Sequence, residues 1–130
     1  MLFLGLIIIV IKKMKRLIYP ILLLFIFISC EAIFIEDISD TKVILLAPTN
    51  NAEVVTGSIQ FNWEEVIDAS EYNIQIASPS FNQANQIVLD SVTTSSIITK
   101  ELDVGSYEWR VKASNSGYQT NYTTNSFTVK

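Results

Sequence analysis

The sequence predicts an all-β fold: a seven-stranded antiparallel β-sandwich preceded by a hydrophobic leader. Three observations predict it. From residue 42 onward apolar side chains recur at every second position, the period of a strand with one buried face. These runs are short, and turn residues interrupt them roughly every 8–12 positions. No stretch of this region repeats at helical spacing. A chain of 130 residues has room for one such domain.

The leader comes first. Two apolar stretches, residues 2–11 and 17–29, flank the basic knot Lys12-Lys13-Met14-Lys15-Arg16. A bilayer-spanning helix needs roughly 20 apolar residues. Neither stretch reaches that length, and the knot would lie costly and charged at mid-membrane. A start at Met14 gives a coherent reading. Lys15 and Arg16 then form a short positive n-region, and the run after them has the length of a signal-peptide h-region. Ser29 is the small residue that precedes a cut. Residues 1–13 become an upstream extension, so that residues 1–29 comprise that extension and a lipoprotein signal peptide whose functional start is Met14. One long, interrupted membrane anchor is the alternative.

Phe27-Ile28-Ser29-Cys30 resembles the lipobox of bacterial lipoproteins, with Phe27 where that pattern usually has Leu. The resemblance implies an acyl lipid on Cys30 and attachment to a membrane through it. A thiolate is a suitable soft nucleophile for that transfer. Several acyl chains anchor firmly, because each buried CH₂ adds ~0.8 kcal/mol and one chain alone is marginal. Glu31, rather than Asp, follows the Cys, which in Gram-negative cells points to the outer membrane, on either face. Cys30 is the single cysteine, so no internal disulfide is available.

Charge divides at the same place. Four of the nine basic residues lie before residue 17, and all thirteen acids follow Ser29. A chain beginning at Cys30 keeps five basic residues against thirteen acidic ones, a net charge of about −8. Such a body repels phosphate backbones, which excludes nucleic acid as a partner.

Residues 30–41 are expected to be the lipid-anchored tether. They are acid-rich but carry Ile33, Phe34, Ile35 and Ile38, which can pack on the domain or lie near the membrane. The domain proper is expected over 42–130. Its first run, 43–47, ends at the turn cluster Pro48-Thr49-Asn50-Asn51. A short piece at Val54-Val55 ends at Gly57. SIQFNWE (58–64) points Ile59, Phe61 and Trp63 to one face, and EYNIQIA (71–77) does the same with Tyr72, Ile74 and Ile76. Two shorter strands are expected at 86–90 and 95–99. YEWRVKA (107–113) places Tyr107, Trp109, Val111 and Ala113 inward, with Glu108, Arg110 and Lys112 outward. Residues 122–129 close the chain with Phe127 and Val129 inward. Without a disulfide, apolar burial must hold the fold. Trp63 and Trp109 are its largest contributors, at ~150–250 Å² for each large aromatic.

LDVGSYEWRVKASNSG (102–117) resembles the E–F corner and F strand of fibronectin type III domains. Leu102, Gly105, Tyr107, Val111, Ala113 and Asn115 carry the likeness. Trp63 matches the buried Trp of the B strand, and Pro48 the proline that ends the A strand. The resemblance covers about 42–130 and implies that the Tyr107 hydroxyl bonds back to the upstream backbone. The corner is one residue shorter than usual. LLAPTNNAEVV and FNWE also resemble the first domain of outer-membrane starch-utilisation lipoproteins. The fold hosts many functions, so it implies architecture and not activity.

Catalytic chemistry finds little support. There is no histidine, the commonest general base and metal ligand. Glu64, Glu65, Asp68 and Glu71 cluster between two strands, as a solvated acidic loop or a calcium site. Adjacent Glu64 and Glu65 point to opposite faces of a strand. No Gly-rich phosphate loop occurs, and neither enzyme activity nor a cofactor is expected. The most suggestive surface is NSGYQTNYTTN (115–125), where Tyr118 and Tyr122 accompany Gln119 and Asn121. Aromatic faces stack on sugar rings and amides bond hydroxyls, which suits a glycan. SPSFNQAN (78–85), with Phe81, is a second candidate loop. The expected function is a non-catalytic envelope lipoprotein whose sandwich binds a glycan or another envelope protein. The alternative is a structural or assembly module of an outer-membrane complex, with no ligand pocket of its own and a partner added at an edge strand.

Overall fold

The computed structural model describes residues 2–27 and 32–130. The chain divides into two compact units, Met1–Phe34 and Ile35–Lys130. In the first, helix α1 runs over Leu2–Phe27 and contains Pro20. Its apolar side chains over residues 2–23 are exposed. The basic knot sits near its middle. Among the described residues no helix is long and apolar enough to cross a membrane. The expected cut site and Cys30 lie outside the described residues.

The second unit is a sandwich of eight strands in two sheets. They are β1 (Leu45–Ala47), β2 (Ala52–Val54), β3 (Gly57–Trp63), β4 (Glu71–Ser78), β5 (Gln86–Thr93), β6 (Ile97–Leu102), β7 (Gly105–Ser114) and β8 (Thr123–Val129). The smaller sheet has the order β1-β3-β6 and the larger β2-β8-β7-β4-β5.

Two features correct the expectation of seven antiparallel strands. The first strand is split. Pro48 lacks an N–H and interrupts the ladder. Before it β1 pairs with β3, and after it β2 crosses to the other sheet. There β2 pairs with β8 in parallel, Ala52 beside Phe127 and Val54 beside Val129. The crossing turn is tied by Asn51 N–H donating to the Ser126 carbonyl at 2.7 Å and by Ser126 N–H donating to Asn50 Oδ1 at 2.9 Å.

Several strand limits also shift. β6 starts two residues later than expected, because the Ser95 hydroxyl takes part in a local turn, donating to the Ile97 carbonyl at 3.1 Å. It runs on to Leu102 because β3 pairs with it that far. β5 runs on to Thr93, paired with Tyr72 of β4.

The alternation places Ile59, Phe61 and Trp63 of β3 inward, facing Tyr72, Ile74 and Ile76 of β4, Tyr107, Trp109, Val111 and Ala113 of β7 and Phe127 and Val129 of β8 in the larger sheet. Phe61 is at the centre, edge-on to Trp109 at 5.2 Å and to Phe127 at 5.6 Å. Trp63 meets Tyr72 edge-on at 5.6 Å, and Tyr107 stacks on Phe127 at 5.4 Å. These are favoured quadrupole geometries. Trp109 Nε1 donates to the Pro48 carbonyl at 3.2 Å, across the sandwich. Trp63 Nε1 is buried with no hydrogen-bond partner among the described residues. The shortened corner still closes: the Tyr107 hydroxyl donates to the Asp103 carbonyl at 2.8 Å, beside buried Leu102.

The domain begins earlier than residue 42. Ile38 and Val43 lie in the core cluster. The Asn115 side-chain amide donates to the Glu36 carbonyl at 2.8 Å, so 35–41 form part of the folded body.

Candidate functional site

The loop between β7 and β8 begins as a tight turn. Asn115 Oδ1 accepts from the Gly117 and Tyr118 N–H groups at 3.1 and 2.8 Å, the local bonding by which Asn directs a turn. Its Nδ2 reaches outward to the carbonyls of Glu36 and Asp68, at 2.8 and 3.2 Å. One side chain thus ties the β7–β8 turn to the segment before β1 and to the β3–β4 loop. Thr120, a buried residue the sequence did not single out, completes the turn. Its hydroxyl accepts from Ala113 N–H at 3.0 Å, and its own N–H donates to the Ala113 carbonyl. The signal available was only a Thr inside a polar run.

The four residues proposed for ligand contact separate. Tyr118 lies at the tip of the turn, 40% exposed, and Asn121 is exposed beyond it. Gln119 pairs with Ser114, and its Oε1 accepts from Lys112 Nζ at 3.1 Å. Tyr122 lies on the outer face of the larger sheet. Its hydroxyl donates to Asn73 Oδ1, and Asn73 Nδ2 donates to Asp90 Oδ1 at 2.9 Å. Burial and the neighbouring Asp90 raise the Tyr122 pKa above its usual value, although Arg110 opposes them.

That outer face joins the two loops that the sequence nominated separately. The Arg110 guanidinium carbon is 4.0 Å from the Phe81 ring centroid and 4.3 Å from that of Tyr122. Arg110 Nε donates to Gln75 Oε1 at 2.8 Å, which fixes the guanidinium plane. The Phe81 loop is further held by its N–H donating to Glu108 Oε1 at 2.9 Å. Lys112 Nζ stands 5.0 Å from the Tyr122 ring. Strand pairing explains the assembly: Gln75 on β4, Arg110 on β7 and Thr124 on β8 share one register row, with Asn73 and Lys112 in the next. Sequence alternation placed Arg110 and Lys112 outward, but a β7–β8 loop residue folding back over them leaves no periodic signal.

The groups on this face are able to stack and to form hydrogen bonds. Arg110 has five N–H donors and Gln75 occupies one. No carboxylate forms an ion pair with it among the described residues. No group of three or more His, Cys, Asp or Glu is placed to hold a metal ion among the described residues.

Comparison with protein families finds no match, and neither does comparison with curated proteins. Solved structures do match. The fibronectin(III)-like modules of Clostridium thermocellum CbhA superpose with a TM-score of 0.51 at 13% identity, over 68% of this chain and 96% of that one. The fold is a fibronectin type III-like β-sandwich. An engineered protein superposes on this chain with a TM-score of 0.53 at 12% identity, over 68% of this chain and 20% of that one. The structure of FN3tt gives 0.49 at 16% identity, over 68% of this chain and 95% of that one. At these identities the likeness is one of fold, and a fibronectin-like sandwich supplies a scaffold whose chemistry depends on its own surface.

Proposed function

We propose that the protein is a non-catalytic envelope lipoprotein, anchored through Cys30 to the outer membrane, whose sandwich binds a glycan on the outer face of the larger sheet. The observation that carries the binding reading is Arg110 flanked by Phe81 and Tyr122, with its plane set by Gln75. A fixed guanidinium with unused donors, framed by ring edges and amides, suits the alternating hydroxyls and C–H faces of a sugar. Gln119, whose Oε1 accepts from Lys112 Nζ, and Asn121 extend the same polar surface beyond Tyr122. The anchor reading is supported by the leader pattern and by Ser29-Cys30.

Glycan-array binding tests the site. Arg110→Ala and Tyr122→Ala are each expected to abolish the signal given by the wild type. Retained binding in both removes this face from the reading. Fatty-acid labelling of wild type against Cys30→Ala tests the anchor, with label expected in the wild type alone.

A second reading has its own observation. β5 is an eight-residue edge strand without proline, and it exposes Ile87 and Val92. Such an edge is a template for strand addition by an envelope protein. Crosslinking in cells that captures one constant protein partner through β5, with no glycan signal, would favour it.

A further inference from the structure

We propose that the pole formed by the β3–β4 loop and the β7–β8 turn rests on the lipid surface, with Ile67 and Tyr118 as its contacts. This rests on the anchor reading above. It adds which end of the domain meets the membrane.

The first ground is chain length. The folded body begins at Ile35, and Cys30 is five residues earlier. Five extended residues reach at most ~18 Å. β7, with ten residues, makes the sandwich alone ~30 Å long. A lipid on Cys30 therefore holds the domain close, by whichever end Ile35 occupies.

The second ground is where Ile35 sits. Its side chain lies against Gly117, so close that a Cβ there would meet Ile35 Cγ2 at 3.4 Å. The next residue, Glu36, is bonded through its carbonyl to Asn115, and Asn115 also holds Asp68. Ser70 N–H donates to the Ser114 carbonyl at 2.8 Å, drawing the β3–β4 loop to the same end. The attachment point, that loop and the β7–β8 turn therefore form one pole.

The third ground is what that pole exposes. Ile67, beside Asp68, is 85% exposed, among the highest values for an apolar residue of the domain. The residues of this loop that pack against the core are Val66 and Ala69, not Ile67. Tyr118 adds an amphipathic ring of the kind that favours the bilayer interface. The rim is acidic, with Glu36, Glu64, Glu65 and Asp68 all exposed. Acids repel anionic headgroups, so the matching surface is zwitterionic. The Arg110 face, on the flank of the sandwich, is left open to solvent.

The test uses the full-length lipidated protein in zwitterionic phospholipid vesicles. A lipidated Cys30 has no free thiol, so single cysteines introduced as Ile67→Cys, Tyr118→Cys and Val104→Cys can each carry a fluorophore. Val104 is 68% exposed at the β6–β7 corner, the opposite end of β7. Quenchers on lipid headgroups are expected to quench the labels at 67 and 118 several-fold more than the label at 104. Equal quenching at all three overturns the proposal, as does stronger quenching at 104. Labelling of the wild-type protein would instead show a free Cys30 thiol and overturn the anchor reading itself, so the two failures are distinguishable.

Discussion

At the scale of single residues, the fold depends on a few aromatic contacts whose cost of removal can be stated. Phe61 is fully buried and touches both Trp109 and Phe127 edge-on. Phe61→Ala is expected to lower unfolding free energy by ~3–5 kcal/mol, measured by denaturant titration, because the surrounding rings cannot collapse into the space. That is a large part of the ~5–15 kcal/mol of a typical domain. Tyr107→Phe keeps the stack on Phe127 and removes only the bond to the Asp103 carbonyl, for ~1 kcal/mol. It should also change the alkaline limb of stability. Burial first, and then the Asp103 charge, raise the Tyr107 pKa above its ordinary value. The folded state thus holds this proton more tightly than the unfolded chain. The stabilisation is complete below pH ~10 and declines as pH rises from there toward the folded pKa. The decline between pH 10 and 11 is expected to be shallower in Tyr107→Phe than in wild type. An identical slope in both would assign the alkaline loss to other groups.

At the scale of elements, what the sequence shows and what it hides follow from the range of the forces. Alternation along β3, β4 and β7 arises within each strand, so residues such as Ile74 and Trp109 could be oriented from the sequence alone. The crossing of β2 to the other sheet could not, because Ala52–Val54 is too short for a period and its parallel partner β8 lies some 75 positions away. The same holds for the Arg110 site. Phe81 and Tyr122 were each visible as aromatics in polar loops, but their meeting depends on β4, β7 and β8 being in register. Arg110 also links those loops mechanically. Removing it takes away contacts with two rings, each worth ~0.5–2 kcal/mol according to exposure. Arg110→Ala is therefore expected to quicken limited proteolysis within residues 79–85 while leaving the thermal transition cooperative. An unchanged cleavage rate would show that the Phe81 N–H bond to Glu108 suffices to hold the loop. By contrast, the Lys130–Glu53 ion pair at 2.6 Å is more than 60% exposed on both sides. Glu53→Gln is expected to move stability by no more than ~0.5 kcal/mol, since solvent screens such a pair.

At the scale of the whole molecule, the decisive question is where the folded body begins. Composition suggested residue 42, because the acid-rich stretch before it lacks strand period. Packing sets it at Ile35. Ile38 is 3% exposed within the core cluster, although its neighbours Asp37, Ser39 and Asp40 all face solvent. A local turn makes this possible: Ser39 N–H donates to Asp37 Oδ1 at 2.9 Å, and Thr41 N–H returns to the Ile38 carbonyl at 2.9 Å. The Ser39 hydroxyl, and after it the Ser39 N–H, lower the Asp37 pKa below its usual value. Burying one isoleucine contributes ~1.5–3 kcal/mol, and the Asn115–Glu36 bond adds ~1 kcal/mol. Ordering the segment offsets part of that gain. A domain that begins at residue 42 is therefore expected to be ~1–3 kcal/mol less stable than one beginning at residue 32, and Ile38→Ala in the longer chain should reproduce most of the loss. Chemical denaturation of the three proteins decides the matter. If all three unfold at the same midpoint, residues 35–41 behave as a free tether, and the short reach from Cys30 to the loop pole loses its basis.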